Sequence, residues 1–141
     1  MKVLIPVDQS DAARRAIAHT ARLAQDVGSI DVILLNVRNG PELRGELSPL
    51  DYQSLDRAQS EAQQRLLADA LEHAKRVGLT RASIDAAQGL PADEIVRVAQ
   101  EKGVDQIVMG THGRSAMGRF LLGSVAERVL HLAPMPVTAV K

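Results

Sequence analysis

The sequence has no cysteine and no tryptophan, and its aromatic residues are limited to Tyr52 and Phe120. The first absence excludes disulfides, thiolate chemistry and cysteine zinc sites. The scarcity of aromatics leaves no platform for stacking nucleic-acid bases and requires an aliphatic core. Net charge is missing as well. Seventeen Lys and Arg balance seventeen Asp and Glu, so the chain has no general attraction for DNA, RNA or acidic membranes. No apolar run approaches the roughly 20 residues of a membrane span. The start, Met-Lys followed by a short apolar run, lacks signal-peptide architecture, and the expectation is a cytoplasmic protein.

What is present suits one compact unit spanning residues 1–141. Hydrophobic residues make up 45% of the 141, and a chain of this size buries roughly two-thirds of its unfolded surface. Lys2 to Val7 is too short for a helix and reads as a buried strand. Ser10 or Asp11 caps a helix with Ala13, Ile17, Ala21, Ala24 and Val27 at helical spacing, closed by Gly28. Ile30 to Val37 is a second buried strand, and Asn39 to Ser48 a loop, read either as a lid over a ligand or as a plain connector. Ser48-Pro49-Leu50-Asp51 opens another helix. It carries Leu55, Ala58, Ala62, Leu66, Ala70, Ala74 and Val77 on one side and ends at Gly78. At about 29 residues and about 43 Å it should project beyond the sheet or break, and its polar middle, Asp56 to Gln64, reads as a solvated face.

Ala82 to Ala87 makes a third strand. Gly89-Leu90-Pro91-Ala92-Asp93-Glu94 starts a helix with acids in its first turn, where the helix dipole favours them; it buries Ile95, Val98 and Ala99 and ends at Gly103. Gln106 to Met109 is a fourth strand. A last helix begins at Ser124 and runs through Val125, Val129 and Leu132 until Pro134 and Pro136 stop it, and Val137 to Val140 is the fifth strand. Strands alternating with helices predict an α/β fold: one open five-stranded parallel sheet with right-handed crossovers and helices on both faces. Ligands of such sheets bind beyond the strands' carboxyl ends, where the strand order reverses.

The loop between the fourth strand and the last helix carries Gly110, Gly113, Gly118 and Gly123, with Arg114 and Arg119 as its permanent charges. Glycine lets backbone N–H groups approach a ligand with no Cβ in the way, and a helix N-terminus beyond adds free donors and partial positive charge. This is the construction of a phosphate cradle. It is not a P-loop, since Gly118 is followed by Arg119-Phe120 rather than Lys and Ser or Thr. Nor is it a nucleophile elbow, since Gly113-Arg114-Ser115-Ala116 is followed by Met117; the dinucleotide fingerprint G-x-G-x-x-G is absent too.

The spacing that does occur is Gly110-x2-Gly113-x9-Gly123-Ser124, with Pro6-Val7-Asp8 closing the first strand. In these, and in GLPADEIV and the final PVTAV, the chain resembles the universal stress protein family, specifically its ATP-binding branch. The resemblance implies strand order 3-2-1-4-5, which sets Asp8 and Gly110 on one Rossmann-like crevice. It also implies an ATP pocket lined by Asp8 and a homodimer formed through the strand Val137 to Val140. That strand is a terminal edge with no later helix to cover it.

The candidate site is therefore Pro6, Val7 and Asp8 at the first strand's end, Val37 and Met109 on the adenine side, and Gly110, Gly113, Arg114, Gly123, Ser124 and Val125 around the phosphates. Ser124-Val125-Ala126-Glu127 is also a capping box, so the Ser124 hydroxyl caps the helix, contacts phosphate, or does each in turn. A carboxylate beside phosphates is repulsive unless a cation lies between them or it turns to ribose hydroxyls. Asp8 thus faces either a nucleotide-bound Mg2+ or the sugar. Gln9 departs from the family, where glycine is common. His112 reads as an ordinary loop histidine, and His19, His73 and His131 fall on separate helices and gather no metal.

Three functions compete. An ATP-binding regulatory protein of the stress response, with or without Mg2+ and an unidentified protein partner, is favoured by the resemblance. A slow ATPase or phosphotransferase would use the same site. The loop, however, lacks the P-loop lysine, a base placed for water and a second acidic metal ligand beside Asp8, and no catalytic residue is assigned. A phospho-aspartate receiver fails, because the third strand ends Ala86-Ala87-Gln88 where an acceptor aspartate is needed.

Overall fold

In the computed structural model, which describes residues 1–40, 47–111 and 122–141, strands and helices alternate along the chain. The elements are β1 (Lys2–Pro6), α1 (Asp11–Val27), β2 (Asp31–Arg38), α2 (Pro49–Arg76), β3 (Ala82–Gln88), α3 (Pro91–Glu101), β4 (Gln106–Gly110), α4 (Ser124–Leu132) and β5 (Val137–Val140). The strands form one sheet in the order β3-β2-β1-β4-β5, every neighbouring pair parallel. Fold class and strand order agree with the sequence reading.

The period-2 geometry of a strand divides the core in two. Val3, Ile5, Val32, Leu34 and Val108 pack with Ala16 and Ile17 of α1 and Leu67 and Ala74 of α2. Their neighbours Leu4, Leu35, Ile107 and Met109 pack on the opposite face with Ile95 and Ala99 of α3 and Ala126 and Val129 of α4. Each fully buried Leu, Ile or Val contributes about 1.5–3 kcal/mol, so burial on both faces pins the register of the central strands.

Three local readings need correction. In α1, Val27 is 53% exposed, whereas Thr20 is fully buried and satisfies itself by donating Oγ1–H to the Ala16 carbonyl at 2.9 Å. The helix α2 neither breaks nor packs along its length: it runs 28 residues, and the residues it buries are Gln63, Leu67 and Ala74. Ala58 and Ala62, expected on its inner side, are exposed. Its polar middle is not simply solvated, because Gln63 is 7% exposed and Asp56 pairs with Arg38 at 3.0 Å.

Ser10 and Ser48 cap α1 and α2 as their positions predict, each side chain accepting from the amide three residues on. The left-handed glycines Gly28, Gly78 and Gly103 follow α1, α2 and α3, where a positive φ ends a helix at least cost.

Candidate functional site

Beyond the carboxyl ends of β1, β2 and β4 lies a cleft of about 420 Å³. Among the described residues its walls include Pro6, Val7 and Asp8 at and beyond the end of β1, Leu35, Asn36 and Val37 from β2, Met109, Gly110 and Thr111 at and beyond the end of β4, and Gly123, Ser124 and Val125 at the start of α4. Nine of the residues nominated from sequence therefore meet around one hollow. Gly113 and Arg114 lie outside the described residues, as do His112, Gly118, Arg119 and most of the loop 39–48. Sequence reasoning missed Asn36, Thr111, Pro91 and Ile95, which also line the cleft. In the sequence Pro91 reads as a helix start and Ile95 as a core residue, and nothing local says that α3 also walls a cavity.

The elements impose distinct chemistry on each side. Leu35, Val37, Ile95 and Met109 make one side apolar, suited to a flat, weakly polar ring. At the opposite end α4 begins. Its N-cap is Gly123 and not Ser124, and no side chain caps it. The capping-box reading fails because the Glu127 amide bonds to the Gly123 carbonyl at 2.9 Å, one residue earlier than that motif requires. Ser124 thus becomes the first helical residue, and the opening amides of α4 keep their donors for something else. With the positive end of the helix dipole added, this end of the cleft suits an anion.

Gly110 and Gly123 do not use the left-handed conformation that glycine permits; among the described residues positive φ occurs at Gly28, Gly78, Gly89 and Gly103. At Gly110 the requirement is space. A Cβ there would stand 2.7 Å from the carbonyl carbon and 2.8 Å from the oxygen of Ala12, so only glycine lets β4 end against the first turn of α1.

Asp8 is half committed. Its Oδ1 accepts the Ser10 amide at 2.8 Å, which bends the chain from β1 into α1; among the described residues no partner meets Oδ2. Behind it runs a side-chain relay. Gln63 Nε2 donates to the Asn36 carbonyl at 2.8 Å, to Asn36 Oδ1 at 3.0 Å and to the Ala87 carbonyl at 3.0 Å, and Asn36 Nδ2 donates to the Val7 carbonyl at 2.7 Å.

The backbone of Val37 follows from strand parity. Asp31 N–H donates to Met1 and the Leu35 carbonyl accepts from Val7, so odd-numbered residues of β2 face β1. Val32 N–H donates to Arg81 and the Arg38 carbonyl accepts from Gly89, so even-numbered residues face β3. Val37 therefore turns its N–H and C=O toward β1, which has already ended at Pro6. Among the described residues neither group has a partner, and Val37 lines the cleft.

His19, His73 and His131 stand on α1, α2 and α4 respectively, and among the described residues no group of three or more His, Asp or Glu could hold a metal ion. No helix among those residues is long and apolar enough to cross a membrane.

Comparison with known proteins agrees with this architecture. Universal stress protein MJ0577 of Methanocaldococcus jannaschii is 32% identical over 155 residues, covering 99% of this chain and 94% of that protein. The solved structure of MJ0577 matches with a TM-score of 0.82 at 31% identity, covering 99% of this chain and 94% of that one. A universal stress protein solved in complex with cAMP has a TM-score of 0.70 at 25% identity, with 100% and 96% of the two chains covered. The structure of the universal stress protein from Archaeoglobus fulgidus in complex with dAMP has a TM-score of 0.65 at 26% identity, with 100% and 98% covered. The family's own sequence model spans residues 1–141, and with an all-parallel sheet in the order β3-β2-β1-β4-β5, the chain belongs to the universal stress protein family.

Proposed function

We propose that the cleft binds an adenine nucleotide, ATP in its resting use, and that the protein acts as a nucleotide-dependent regulator in the stress response and not as an efficient catalyst. The observation that carries this reading is the start of α4. Main-chain donors with no side-chain cap open at one end of a cleft whose other side is apolar, which is the division of labour a nucleotide demands. The complexes of two family members with cAMP and dAMP support the same ligand class.

In this reading the adenine lies among Val37, Met109, Leu35 and Ile95. The main-chain N–H and C=O of Val37 meet the N1 acceptor and the N6 donor of the ring. Asp8 Oδ2 takes the ribose hydroxyls or a Mg2+ carried by the phosphates. Gly110, Gly123, Ser124 and Val125 receive the phosphates, with Gly113 and Arg114 joining them on the strength of the sequence alone. Pro6 and Val7 form the floor.

The protein acts as a homodimer. The Ile107 amide donates to Pro136 and the Thr111 amide to Val140, so alternate residues of β5 are engaged with β4. Val137 and Ala139 therefore present their main-chain groups outward, ready for a second copy. Its place of action is the cytoplasm.

Calorimetry with ATP, ADP, GTP and cAMP, with and without Mg2+, tests the site. Saturable binding of the adenine nucleotides is the expected result, and heat no different from buffer dilution for all of them would sink the proposal. Phosphate release over a long incubation distinguishes a holder of ATP from a hydrolase.

A further inference from the structure

We infer that Asn36 and Gln63 are specificity-determining positioning residues, which keep the Val37 main chain free so that the cleft discriminates adenine from guanine. This rests on the nucleotide reading above and deepens it.

A parallel ladder continues by a fixed rule. The Val7 amide donates to the Leu35 carbonyl at 2.8 Å, and the next rung would run from the Val37 amide back to the Val7 carbonyl. That rung is not made. The Val7 carbonyl instead takes the side-chain amide of Asn36 at 2.7 Å. A side chain from the adjacent residue stands in for the backbone donor, and the Val37 N–H is released from the sheet. Satisfying Val7 this way matters, because a buried carbonyl left without a donor would compete for the Val37 amide.

The amide of Asn36 performs this only in one orientation. Its nitrogen must face Val7 and its oxygen must face away. Gln63, reaching in from α2, donates to that oxygen at 3.0 Å. A flipped Asn36 would set donor against donor at Gln63 and acceptor against acceptor at Val7. Gln63 is held in turn by the carbonyls of Asn36 and Ala87, one from β2 and one from β3. A residue of α2 that touches no ligand therefore fixes which backbone groups the cleft presents.

Chemistry then selects the base. A strand residue with N–H and C=O both free offers one donor beside one acceptor. Adenine shows the complementary pair, an acceptor at N1 and a donor at N6. Guanine shows the reverse, an acceptor at O6 and a donor at N1, so its carbonyl meets a carbonyl and its N–H meets an N–H. Sites that read polar groups in this way discriminate strongly, since the wrong partner leaves buried groups unpaired.

The test measures ATP and GTP affinity by calorimetry for the wild type, Asn36→Ala and Gln63→Met. The wild type is expected to prefer ATP, and each variant to narrow the ATP-to-GTP affinity ratio by about tenfold, the equivalent of one hydrogen bond of readout. General loosening of the fold would weaken both nucleotides alike and leave the ratio where it was; that result overturns the inference while the nucleotide site stands. A wild type that binds ATP and GTP equally overturns it too, and a wild type that binds neither removes the site itself.

A second measurement needs no substitution. In nitrogen-15 spectra of the nucleotide-free wild type, the Val37 amide should exchange quickly with solvent, as a free group does, and shift downfield when AMP is added. A Val37 amide as protected as that of Leu34 before ligand is added would show that the rung is made after all, and would end the proposal.

Discussion

The main-chain N–H of Gly123 donates to the carbonyl of Thr111 at 2.6 Å, so the residue before α4 is tied to the residue after β4. Gly123 sits there in extended backbone, φ −60° and ψ 154°, which any residue adopts. Gly123→Val should therefore spare the fold while its branched side chain blocks the approach of phosphate to the α4 amides. ATP affinity is expected to fall about tenfold or more, the scale of a charge-assisted hydrogen bond. The melting temperature should fall by at most about 4 °C. Calorimetry and thermal denaturation of the same preparation check both, and an unchanged affinity would take Gly123 out of the cradle.

Gly110 predicts the opposite pattern. A Cβ at this position runs into the backbone of Ala12, and backbone does not step aside as the tip of a side chain does. Gly110→Ala is expected to destabilise the protein by about 1–3 kcal/mol through overpacking between β4 and α1. A urea melt reads this directly, and a midpoint equal to wild type would mean the close approach is not real.

Neighbouring glutamines on α2 should behave differently. Gln63 is buried and serves three acceptors, whereas Gln64 is exposed. Gln63→Leu leaves the Asn36 side-chain oxygen without its donor, while the Asn36 and Ala87 carbonyls keep their β2–β3 ladder partners, and should cost about 1–3 kcal/mol. Gln64→Leu should stay within about 0.5 kcal/mol of wild type. Equal midpoints in urea for the two variants would contradict the relay.

This pair shows where the sequence could be read and where it could not. Strand order and element boundaries to within a residue or two followed from apolar periodicity, glycine placement and the family pattern, and nine of the eleven nominated residues line one cleft. Gln63 did not, because in a run such as Ala-Gln-Gln-Arg the composition is that of a solvated face. Its burial is decided by Asn36, twenty-seven positions away along the chain. The start of α4 was misread by a single residue for a similar reason. Ser124 and Glu127 have the spacing of a capping box, but the helix begins where the Gly123 carbonyl accepts its first bond, and the fold had already fixed Gly123 against Thr111. From sequence Gly110 reads as room for a ligand, yet what it provides is room for the first turn of α1, a demand made by a helix remote in sequence.

The outward edge of β5 yields a prediction about assembly. Ala139 is exposed and points its amide away from β4, so Ala139→Pro removes an outward donor without cutting the ladder inside the sheet. Sedimentation at micromolar concentration should show a dimer for wild type and at least about tenfold weaker association for the variant. A wild-type monomer would refute pairing through this edge.

Thr111 also donates its amide to the Val140 carbonyl at 3.0 Å, while its own carbonyl receives Gly123. One residue thus ties the N-cap of α4 to the edge strand β5. Should a nucleotide bind in the cleft and a second copy pair along β5, this tie predicts that each alters the other's affinity to the same degree, which sedimentation with and without ATP would read.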